Sequence, residues 1–482
     1  MHFKVILHVL GLMLMVFSVA MLVPAGVSLW YEDGSFYAFG YSFLSILGVG
    51  LLLFLTTLKG KQELRTREGF LITALFWVVL GTAGSLPLYW STATNLSFTD
   101  AFFESFSGLT TTGSTVIQGL DQLPPAILLY RQLLQWLGGM GIIVLAVAIL
   151  PLLGVGGMQL YRAEMSGPMK DRKIAPRIAE TAKSLWFIYL GLTLACAFGY
   201  WAAGMQPFDA IGHAFSTVAI GGFSTYDASI GHFDQPLIEV VAIVFMVLAA
   251  ANFGLHYVAL RGRSIGQYWR DPEYRFFLTL LFGLVLVVWV SLWLLSEQSG
   301  WVSLRQSAFE ATSIMTTAGF ASTGFAHFPS FLPMLIFMAA FVGGSAGSTA
   351  GGMKSIRIYL LLNQGIREIK RLIHPNGVFS IKIHRVEVPE RVLNAVWGYF
   401  SIYAFVFLLL FIALLATGLD FITAWSAVGS AMNNLGPGLG DVTDNYSSLS
   451  NSAKWLLCLG MLMGRLELFT IIIILSPMFW RR

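Results

Sequence analysis

The sequence predicts an all-helical, polytopic membrane protein in which four similar repeats follow two extra N-terminal spans. Three observations lead to this fold class. Only 11% of the 482 residues are charged and 56% are hydrophobic, whereas a soluble domain has about 25% charged residues. Apolar runs of roughly 18 or more residues, long enough to cross a bilayer as helices, recur along the chain. Between these runs, four shorter segments align on one glycine.

The apolar runs place ten membrane spans along the chain. We expect them at residues 4–29, 36–58, 69–90, 126–151, 183–204, 236–260, 275–296, 331–364, 394–417 and 453–478. The first run is too long, and its basic region too thin, for a signal peptide, so we expect an uncleaved helix. The two cysteines lie inside apolar runs and give neither a disulfide framework nor a metal-site spacing.

The basic residues predict the orientation of these spans. Clusters of lysine and arginine fill alternate loops, at residues 59–67, 162–177, 261–275 and 354–391, and close the chain at 481–482. The loops between them are rich in acids. By the positive-inside rule, the basic loops and both termini lie in the cytoplasm. Because topology accounts for the basic surplus, we do not predict nucleic-acid binding.

Four short segments in the outer loops resemble one another. They read "AFFESFSGLTTTG", "AIGHAFSTVAIGG", "SAFEATSIMTTAG" and "AWSAVGSAMNNLG", and end at Gly113, Gly222, Gly319 and Gly436. A serine precedes each glycine by six residues, at Ser107, Ser216, Ser313 and Ser430. Each segment is too short to span and lies between two spans, so the repeating unit is span, half-helix, glycine turn, span.

This unit has the chemistry of a cation site. A half-helix that enters from outside ends in unpaired carbonyls with partial negative charge. Four such ends on one axis can replace the hydration shell of a cation, while glycine turns the chain and keeps side chains off the axis. A single glycine of this kind is more simply a turn or helix-packing residue, but four equivalent segments favour the cation site.

The loops "LTTTGST", "AIGGFST", "TTAGFAST" and "NNLGPGLGD" resemble the filter loops of the Trk/Ktr/HKT potassium transporter superfamily. The resemblance covers the whole chain, and the two extra N-terminal spans make it most similar to Trk-type membrane subunits. It implies four membrane-pore-membrane units around a single pore, with potassium favoured over sodium. The implied potassium-binding filter consists of Thr111, Thr112, Gly113, Ile220, Gly221, Gly222, Thr317, Ala318, Gly319, Asn434, Leu435 and Gly436. Because the four loops differ, we expect an asymmetric filter.

The repeats divide the chain into five parts. Residues 1–68 are the two N-terminal helices, 69–181 pore repeat 1, 182–273 pore repeat 2, 274–392 pore repeat 3 with an intramembrane loop, and 393–482 pore repeat 4. Within the half-helices, Glu104, His213 and Glu310 occupy equivalent positions, and we expect them to anchor the half-helices. Asn433 and Asn434 offer side-chain oxygens to the fourth filter loop.

The span at 331–364 contains ten consecutive small residues: Gly343, Gly344, Ser345, Ala346, Gly347, Ser348, Thr349, Ala350, Gly351 and Gly352. This span has about 34 residues where roughly 20 suffice, and glycine is a poor helix former. The sequence therefore allows a helix broken in the membrane, or close helix packing through overlapping GxxxG motifs. The resemblance favours the break, since it implies a flexible gating loop below the filter.

Arg465 lies deep in the last span, where a charge normally faces a cavity or a partner. An ion pair with Glu467 is one interpretation, although residues two apart on a helix do not face each other. The resemblance implies instead that Arg465 projects into the pore below the filter, where its charge would hinder leakage of potassium.

The sequence thus predicts a potassium uptake subunit rather than an enzyme. No histidine cluster or paired aspartates lie in a span, as an intramembrane enzyme would require, and a scaffold would need no pore loops. A secondary transporter that couples potassium to protons or sodium is the alternative. The resemblance implies a multi-pass protein of the bacterial inner membrane, without a cofactor in this chain. Its implied partners are membrane lipid, a second copy in a homodimer, and a cytosolic nucleotide-binding ring that docks on residues 366–392.

Overall fold

The computed structural model describes residues 2–58, 66–144, 178–383, 386–466 and 468–481. Within these ranges the chain is mostly helical. The helices are α1 Phe3–Val19, α2 Leu22–Tyr31, α3 Phe36–Thr56, α4 Thr66–Trp90, α5 Phe98–Leu109, α6 Pro125–Val144, α7 Ile178–Ala202, α8 Pro207–Ala219, α9 Pro236–Ala249, α10 Phe253–Arg261, α11 Gly266–Arg270, α12 Pro272–Leu295, α13 Gly300–Met315, α14 Leu332–Ala339, α15 Ser355–Ile373, α16 Glu390–Leu415, α17 Phe421–Asn433, α18 Asn451–Arg465, α19 Leu468–Leu475 and α20 Pro477–Trp480.

One small sheet departs from the all-helical prediction. Strand β1 (Lys382–Ile383) pairs antiparallel with β2 (Val386–Glu387) in the long basic segment, with Lys382 opposite Glu387. The residues between the strands lie outside the described chain.

Six helical segments in the described ranges are long and apolar enough to cross a membrane. They are Phe3–Tyr31, Phe36–Thr56, Arg67–Trp90, Ala182–Ala202, Pro272–Leu295 and Glu390–Leu415, and they match six of the predicted spans. The predicted span at 126–151 coincides with α6 up to Val144, and its remainder lies outside the described residues. The basic loop residues at 59–65 and 162–177 also lie outside the described residues.

Two of the predicted spans each consist of two helices with a sharp bend between them. The span at 236–260 bends by 94° between α9 and α10, and the span at 453–478 bends by 116° between α18 and α19. At the first bend the Asn252 side chain accepts a hydrogen bond from the Gly254 amide and so starts a new helix. The predicted span at 331–364 is also two helices, α14 and α15, joined by turns at 340–354.

The half-helices α5, α8, α13 and α17 lie in the centre of the packing. Each contacts the helices on both sides of it in sequence, as α5 does with α4 and α6. The helix that follows one half-helix also packs against the next half-helix: α6 contacts α8, α9 contacts α13, and α18 contacts α5. Between the third and fourth units, Phe337 of α14 packs against Trp425 of α17, with ring centroids 5.2 Å apart and the rings tilted by 50°. These contacts arrange the four half-helices in a closed ring.

Local sequence explains where the half-helices begin. Three of them start at a side-chain cap, because the oxygens of Ser97, Ser299 and Asp420 accept hydrogen bonds from amides of the first turn. The fourth, α8, starts with Pro207, whose fixed φ suits the first helical position. All four therefore start at a residue that favours a sharp entry into the helix.

Candidate functional site

The four half-helices end in loops of the same backbone shape. The predicted filter glycines Gly113, Gly222, Gly319 and Gly436 all have positive φ, from 75° to 105°. The residues two positions earlier, Thr111, Ile220, Thr317 and Asn434, also have positive φ, from 50° to 66°. Three of these four are β-branched, and β-branched residues rarely adopt this conformation. Backbone strain repeated at equivalent positions is typical of a functional site.

One hydrogen bond repeats in every loop and stabilises this shape. The backbone carbonyl of the serine that precedes each glycine by six residues accepts from an amide five residues later. The four bonds run from Thr112 to Ser107 (2.8 Å), from Gly221 to Ser216 (2.9 Å), from Ala318 to Ser313 (2.8 Å) and from Leu435 to Ser430 (2.9 Å). This is the six-to-one bond of a Schellman helix end. The serine spacing seen in the sequence therefore marks the C-terminal turn of each half-helix.

The four loops meet around one axis. A Cβ atom added to Gly113 would overlap the carbonyl oxygen of Gly221, one added to Gly222 would overlap that of Ala318, and one added to Gly319 that of Leu435. A Cβ on Gly436 would lie 2.9 Å from the carbonyl oxygen of Thr112. Each glycine thus lies against a carbonyl of the next loop, in the order one, two, three, four and back to one. All twelve predicted filter residues lie in this ring of loops.

Buried polar side chains hold the loops from behind. Glu104 accepts hydrogen bonds from the Val116 amide (2.9 Å) and the Thr115 hydroxyl (3.0 Å), and pairs with Arg131 at 2.7 Å. Glu310 accepts from three successive amides beginning at Ser322. Both acids therefore fix the chain beyond the filter glycine, as an anchoring role requires.

His213 makes the corresponding contacts in the second unit. One ring nitrogen lies 2.8 Å from the carbonyl oxygen of Asp209 and the other 2.9 Å from the hydroxyl of Ser224. In the fourth unit the equivalent residue is Ala427, and the hydroxyl of Ser426 instead bonds both the amide and the carbonyl of Leu439. The anchor is thus present in all four units with different chemistry.

Two residues that sequence reasoning missed hold the second loop. The Gln135 amide nitrogen donates to the Gly221 carbonyl (2.6 Å), and its oxygen accepts from the Phe223 amide (3.0 Å). Gln132 donates to the Phe223 carbonyl at 3.3 Å. Both residues lie in α6. Two glutamines inside an apolar span are the sequence signal that could have identified them.

Asn433 and Asn434 differ in the hydrogen bonds that their side chains make. The Asn433 side-chain oxygen accepts from the Tyr403 hydroxyl at 2.9 Å. Asn434 donates to the Thr112 hydroxyl and to the Met461 carbonyl, both at 3.0 Å. Its own side-chain oxygen is buried and has no hydrogen-bond partner among the described residues, so of the two only Asn434 keeps an oxygen for another ligand.

Several outer acids that the sequence places in loops are held by protein groups. Asp420 caps α17, and the hydrogen bond from Thr423 lowers the pKa of its carboxyl. Asp209 accepts from the hydroxyls of Thr225 (2.8 Å) and Tyr226 (3.1 Å). Burial, with the nearby Asp209 carboxylate, raises the pKa of Tyr226 to about 12. These acids stabilise the outer loops besides adding negative charge there.

The ten small residues at 343–352 lie directly against the filter loops. The Thr349 hydroxyl donates to the Val218 carbonyl at the end of α8 (2.9 Å). The Gly351 amide donates to the Thr317 hydroxyl (2.7 Å), and the Gly352 amide to the Asn433 carbonyl (3.1 Å). The segment therefore contacts the second, third and fourth units at the ends of their half-helices.

The same segment is tied to the bend between α9 and α10. The Ser345 amide donates to the Ala250 carbonyl (2.9 Å), and the Phe253 amide donates to the Gly347 carbonyl (3.0 Å). On its other side, the Ala346 amide donates to the Glu273 carboxylate (2.6 Å). Close contacts of this kind need residues without bulk, which accounts for the composition of the segment.

Arg465 links this segment to the first filter loop. Its guanidinium donates to the Thr349 carbonyl at 3.2 Å and to the Thr111 hydroxyl at 2.6 Å. The contact with Thr349 brings together two predicted site residues that are far apart in sequence. Glu467, the other predicted partner of Arg465, lies outside the described residues.

Within the part of the chain that the structure describes, no group of three or more metal-ligating side chains comes together. The groups gathered at the axis are backbone carbonyls, threonine hydroxyls and one arginine. Backbone carbonyls arranged around an axis are groups that can replace the hydration water of a cation.

The chain is similar to known proteins over its full length. The TrkH family model, described as a cation transport protein, matches residues 35–482. The Trk system potassium uptake protein TrkH of Escherichia coli (strain K12) is 55% identical, and that of Halomonas elongata 56% identical, each with full coverage of both chains. The crystal structure of the potassium transporter TrkH from Vibrio parahaemolyticus aligns with a TM-score of 0.92, 52% identity and full coverage of both chains. These relatives are named as transport proteins, which confirms the prediction of a transporter rather than an enzyme.

Proposed function

This chain belongs to the TrkH family of cation transport proteins, and we propose that it carries potassium ions into a bacterial cell across the cytoplasmic (inner) membrane. The observation that supports this proposal most is the ring in which each filter glycine lies against a carbonyl of the next loop. The relatives of this chain named as potassium uptake proteins support the choice of ion.

In this proposal the chain consists of four membrane-pore-membrane repeats around one pore. The repeats are 69–181, 182–273, 274–392 and 393–482, and residues 1–68 supply the two extra helices. Backbone carbonyls from the four filter loops replace the water around potassium, while positive φ at the glycines keeps side chains off the axis. Potassium is the transported ion, and the chain needs no cofactor of its own.

The segment from Gly343 to Gly352, together with Arg465, is the proposed gate. Its bonds to Val218, Thr317 and Asn433 at the ends of the half-helices support this role, because a segment held there obstructs the proposed path. Arg465 adds a positive charge at the same depth. A cation that leaves the filter toward the cytoplasm therefore needs this segment to move and the arginine to turn aside.

Opening is proposed to be driven from the cytoplasmic side, where the gate continues into α15. The segment at 366–392 carries exposed apolar side chains, including Ile369, Leu372 and Val378. Near the start of this segment, Arg367 forms an ion pair with Glu390 of α16 at 2.7 Å. We propose that this segment docks a cytosolic nucleotide-binding ring, that the protein works as a homodimer in the lipid membrane, and that both termini are cytoplasmic.

Ion flux through the purified protein tests the proposed function. The protein is reconstituted into liposomes loaded with potassium chloride, and uptake of radioactive rubidium is followed with and without the gate residues Ala346 to Ala350. We expect uptake that external potassium competes away more strongly than sodium. Currents in a planar bilayer that reverse at the potassium equilibrium potential would support free conduction, and reversal that follows a proton or sodium gradient would support the coupled alternative. Rubidium uptake no faster than in empty liposomes, for both proteins, would contradict the proposed function.

A further inference from the structure

The four aligned serines share a backbone role but differ in their side chains. The Ser430 hydroxyl donates to the carbonyl of the filter glycine Gly436 at 2.7 Å. The Ser313 hydroxyl instead donates to the carbonyl of Phe320, one residue past its glycine, at 2.6 Å. The hydroxyls of Ser107 and Ser216 are buried and have no partner among the described residues. Only the fourth unit directs this hydroxyl at a filter glycine.

Two more hydroxyls reach the same Gly436 carbonyl. Ser114, from the first filter loop, donates at 3.0 Å, and Tyr446 donates at 2.8 Å. Both side chains are only 2% exposed. The Tyr446 amide also donates to the Thr115 carbonyl at 2.7 Å, which fixes the tyrosine between the first and fourth loops. We call Ser114, Ser430 and Tyr446 the hydroxyl clamp.

The hydroxyl clamp saturates its acceptor. A carbonyl oxygen has two lone pairs, and three hydroxyl donors within 3.0 Å occupy both. A cation at the same oxygen would approach three hydrogens that carry partial positive charge. No backbone amide of the described residues donates to the carbonyls of Gly113, Gly222 or Gly319, so these carbonyls remain available as ligands.

We propose that the Gly436 carbonyl is not a potassium ligand and that the glycine ring of the filter binds the ion through three carbonyls. The hydroxyl clamp consists of positioning residues that determine this number. The inference rests on the proposed function, because it defines the ligands of that same filter. Since the number of carbonyl ligands contributes to the preference for potassium over sodium, the hydroxyl clamp limits that preference.

The double substitution Ser114→Ala with Tyr446→Phe tests this inference. It leaves one donor on the Gly436 carbonyl and frees a lone pair for the ion. The potassium-to-sodium permeability ratio of the full-length protein in liposomes should rise by about two- to tenfold, the range expected for one net hydrogen bond. Each single substitution leaves two donors, which still occupy both lone pairs, and should keep the original ratio. The ratio is measured within one preparation, so a lower yield does not affect it.

Tyr130→Phe is the matched control. Tyr130 is buried, and its hydroxyl donates to the Gly84 carbonyl at 2.7 Å, away from the filter. The Tyr130→Phe variant loses an equivalent hydrogen bond and should keep the potassium-to-sodium permeability ratio of the unsubstituted protein. An unchanged or lower ratio in this double variant, or in Ser114→Ala with Ser430→Ala if the first double variant does not fold, would overturn the inference while potassium flux itself persists. Absence of potassium flux in the unsubstituted protein would instead overturn the proposed function, and this inference with it.

Discussion

The filter loops and the segment at 343–352 are neighbours that are built in opposite ways. The filter loops exist in four copies with the same two positive φ positions and the same serine carbonyl bond. The segment joins α14 to α15 in the third unit alone, and its contacts with the other units are all different. A binding site on an axis benefits from repetition, whereas one obstruction is enough to close a single path.

The two regions also differ in what holds them. The filter loops are stabilised mainly from within, by helix-end bonds and by anchors such as Glu104 and Glu310 in the same unit. The segment is held mainly by other elements, at Ala250, Thr317 and Arg465. Separation of this segment from its neighbours would leave the filter loops folded, which the proposed gate requires. The predictions below test this difference, beginning with the largest expected effect.

Replacement of Gly319 by alanine should disable the filter. Gly319 has a φ of 75°, and an added Cβ would overlap the Leu435 carbonyl and lie 2.8 Å from Pro437. Strain of roughly 3 kcal/mol corresponds to about a hundredfold loss of potassium flux. Rubidium uptake into liposomes measures it. Gly283→Ala is the control, because nothing lies within 4 Å of its added Cβ. Equal uptake by the two variants would contradict the role of the glycine ring.

Deletion of Ala346 to Ala350 should raise the flux. The deletion removes Thr349 and with it the contacts to Val218 and Arg465, so the path below the filter widens. We expect about a tenfold rise without any partner protein, equivalent to roughly 1.4 kcal/mol in the open-to-closed ratio. The response to a docked partner should shrink in the same preparation.

A role in helix packing predicts the opposite result for this deletion. If the glycines served only to bring helices together, their loss would misfold the protein and lower the flux. Elution as a single species and an unchanged melting temperature identify a folded variant. A folded variant whose flux is at or below that of the intact protein would eliminate the gate.

Substitution of Arg465 by alanine should raise the flux by about fivefold, since one charged hydrogen-bond donor accounts for roughly 1.5 kcal/mol or less at a partly exposed site. The variant loses the bonds to Thr349 and Thr111 as well as the positive charge below the filter. Arg465→Lys keeps the charge and should give a smaller rise. Arg263→Ala, at an exposed arginine, is the matched control, and an equal rise in that variant would point to a general effect of lost charge.

The sequence predicts the filter well because the filter is local. The serine, the end of the half-helix and the filter glycine lie within seven residues, and helix-end bonding depends on residues at such spacing. Four copies make the pattern visible. The composition of 343–352 likewise indicates where α14 ends, since glycine disfavours a helix.

The features that the sequence does not predict depend on distant contacts. The bend at Asn252 is stabilised by a hydrogen bond from the Phe253 amide to the Gly347 carbonyl, 94 residues further along the chain. Gln135 and Tyr446 contact loops of other units, at Gly221 and Thr115. Apolar periodicity does not distinguish a straight span from a bent one when both halves are apolar, and pairing across units is not encoded in local spacing.

Thr349→Val should give the smallest effect and separates the two contacts of this residue. Valine keeps the branched shape but removes the hydroxyl that donates to the Val218 carbonyl, while the Thr349 carbonyl that accepts from Arg465 remains. The loss of one neutral hydrogen bond should raise flux by about twofold. Thr82→Val, which removes an exposed hydroxyl bonded within its own helix, is the control and should leave flux unchanged.

Because Thr349→Val leaves the arginine contact in place, its effect should add to that of Arg465→Ala if the two contacts hold the segment independently. A double variant no faster than Arg465→Ala alone would show that the hydroxyl contact matters only while the arginine contact is present, so that the two contacts hold the segment as one unit.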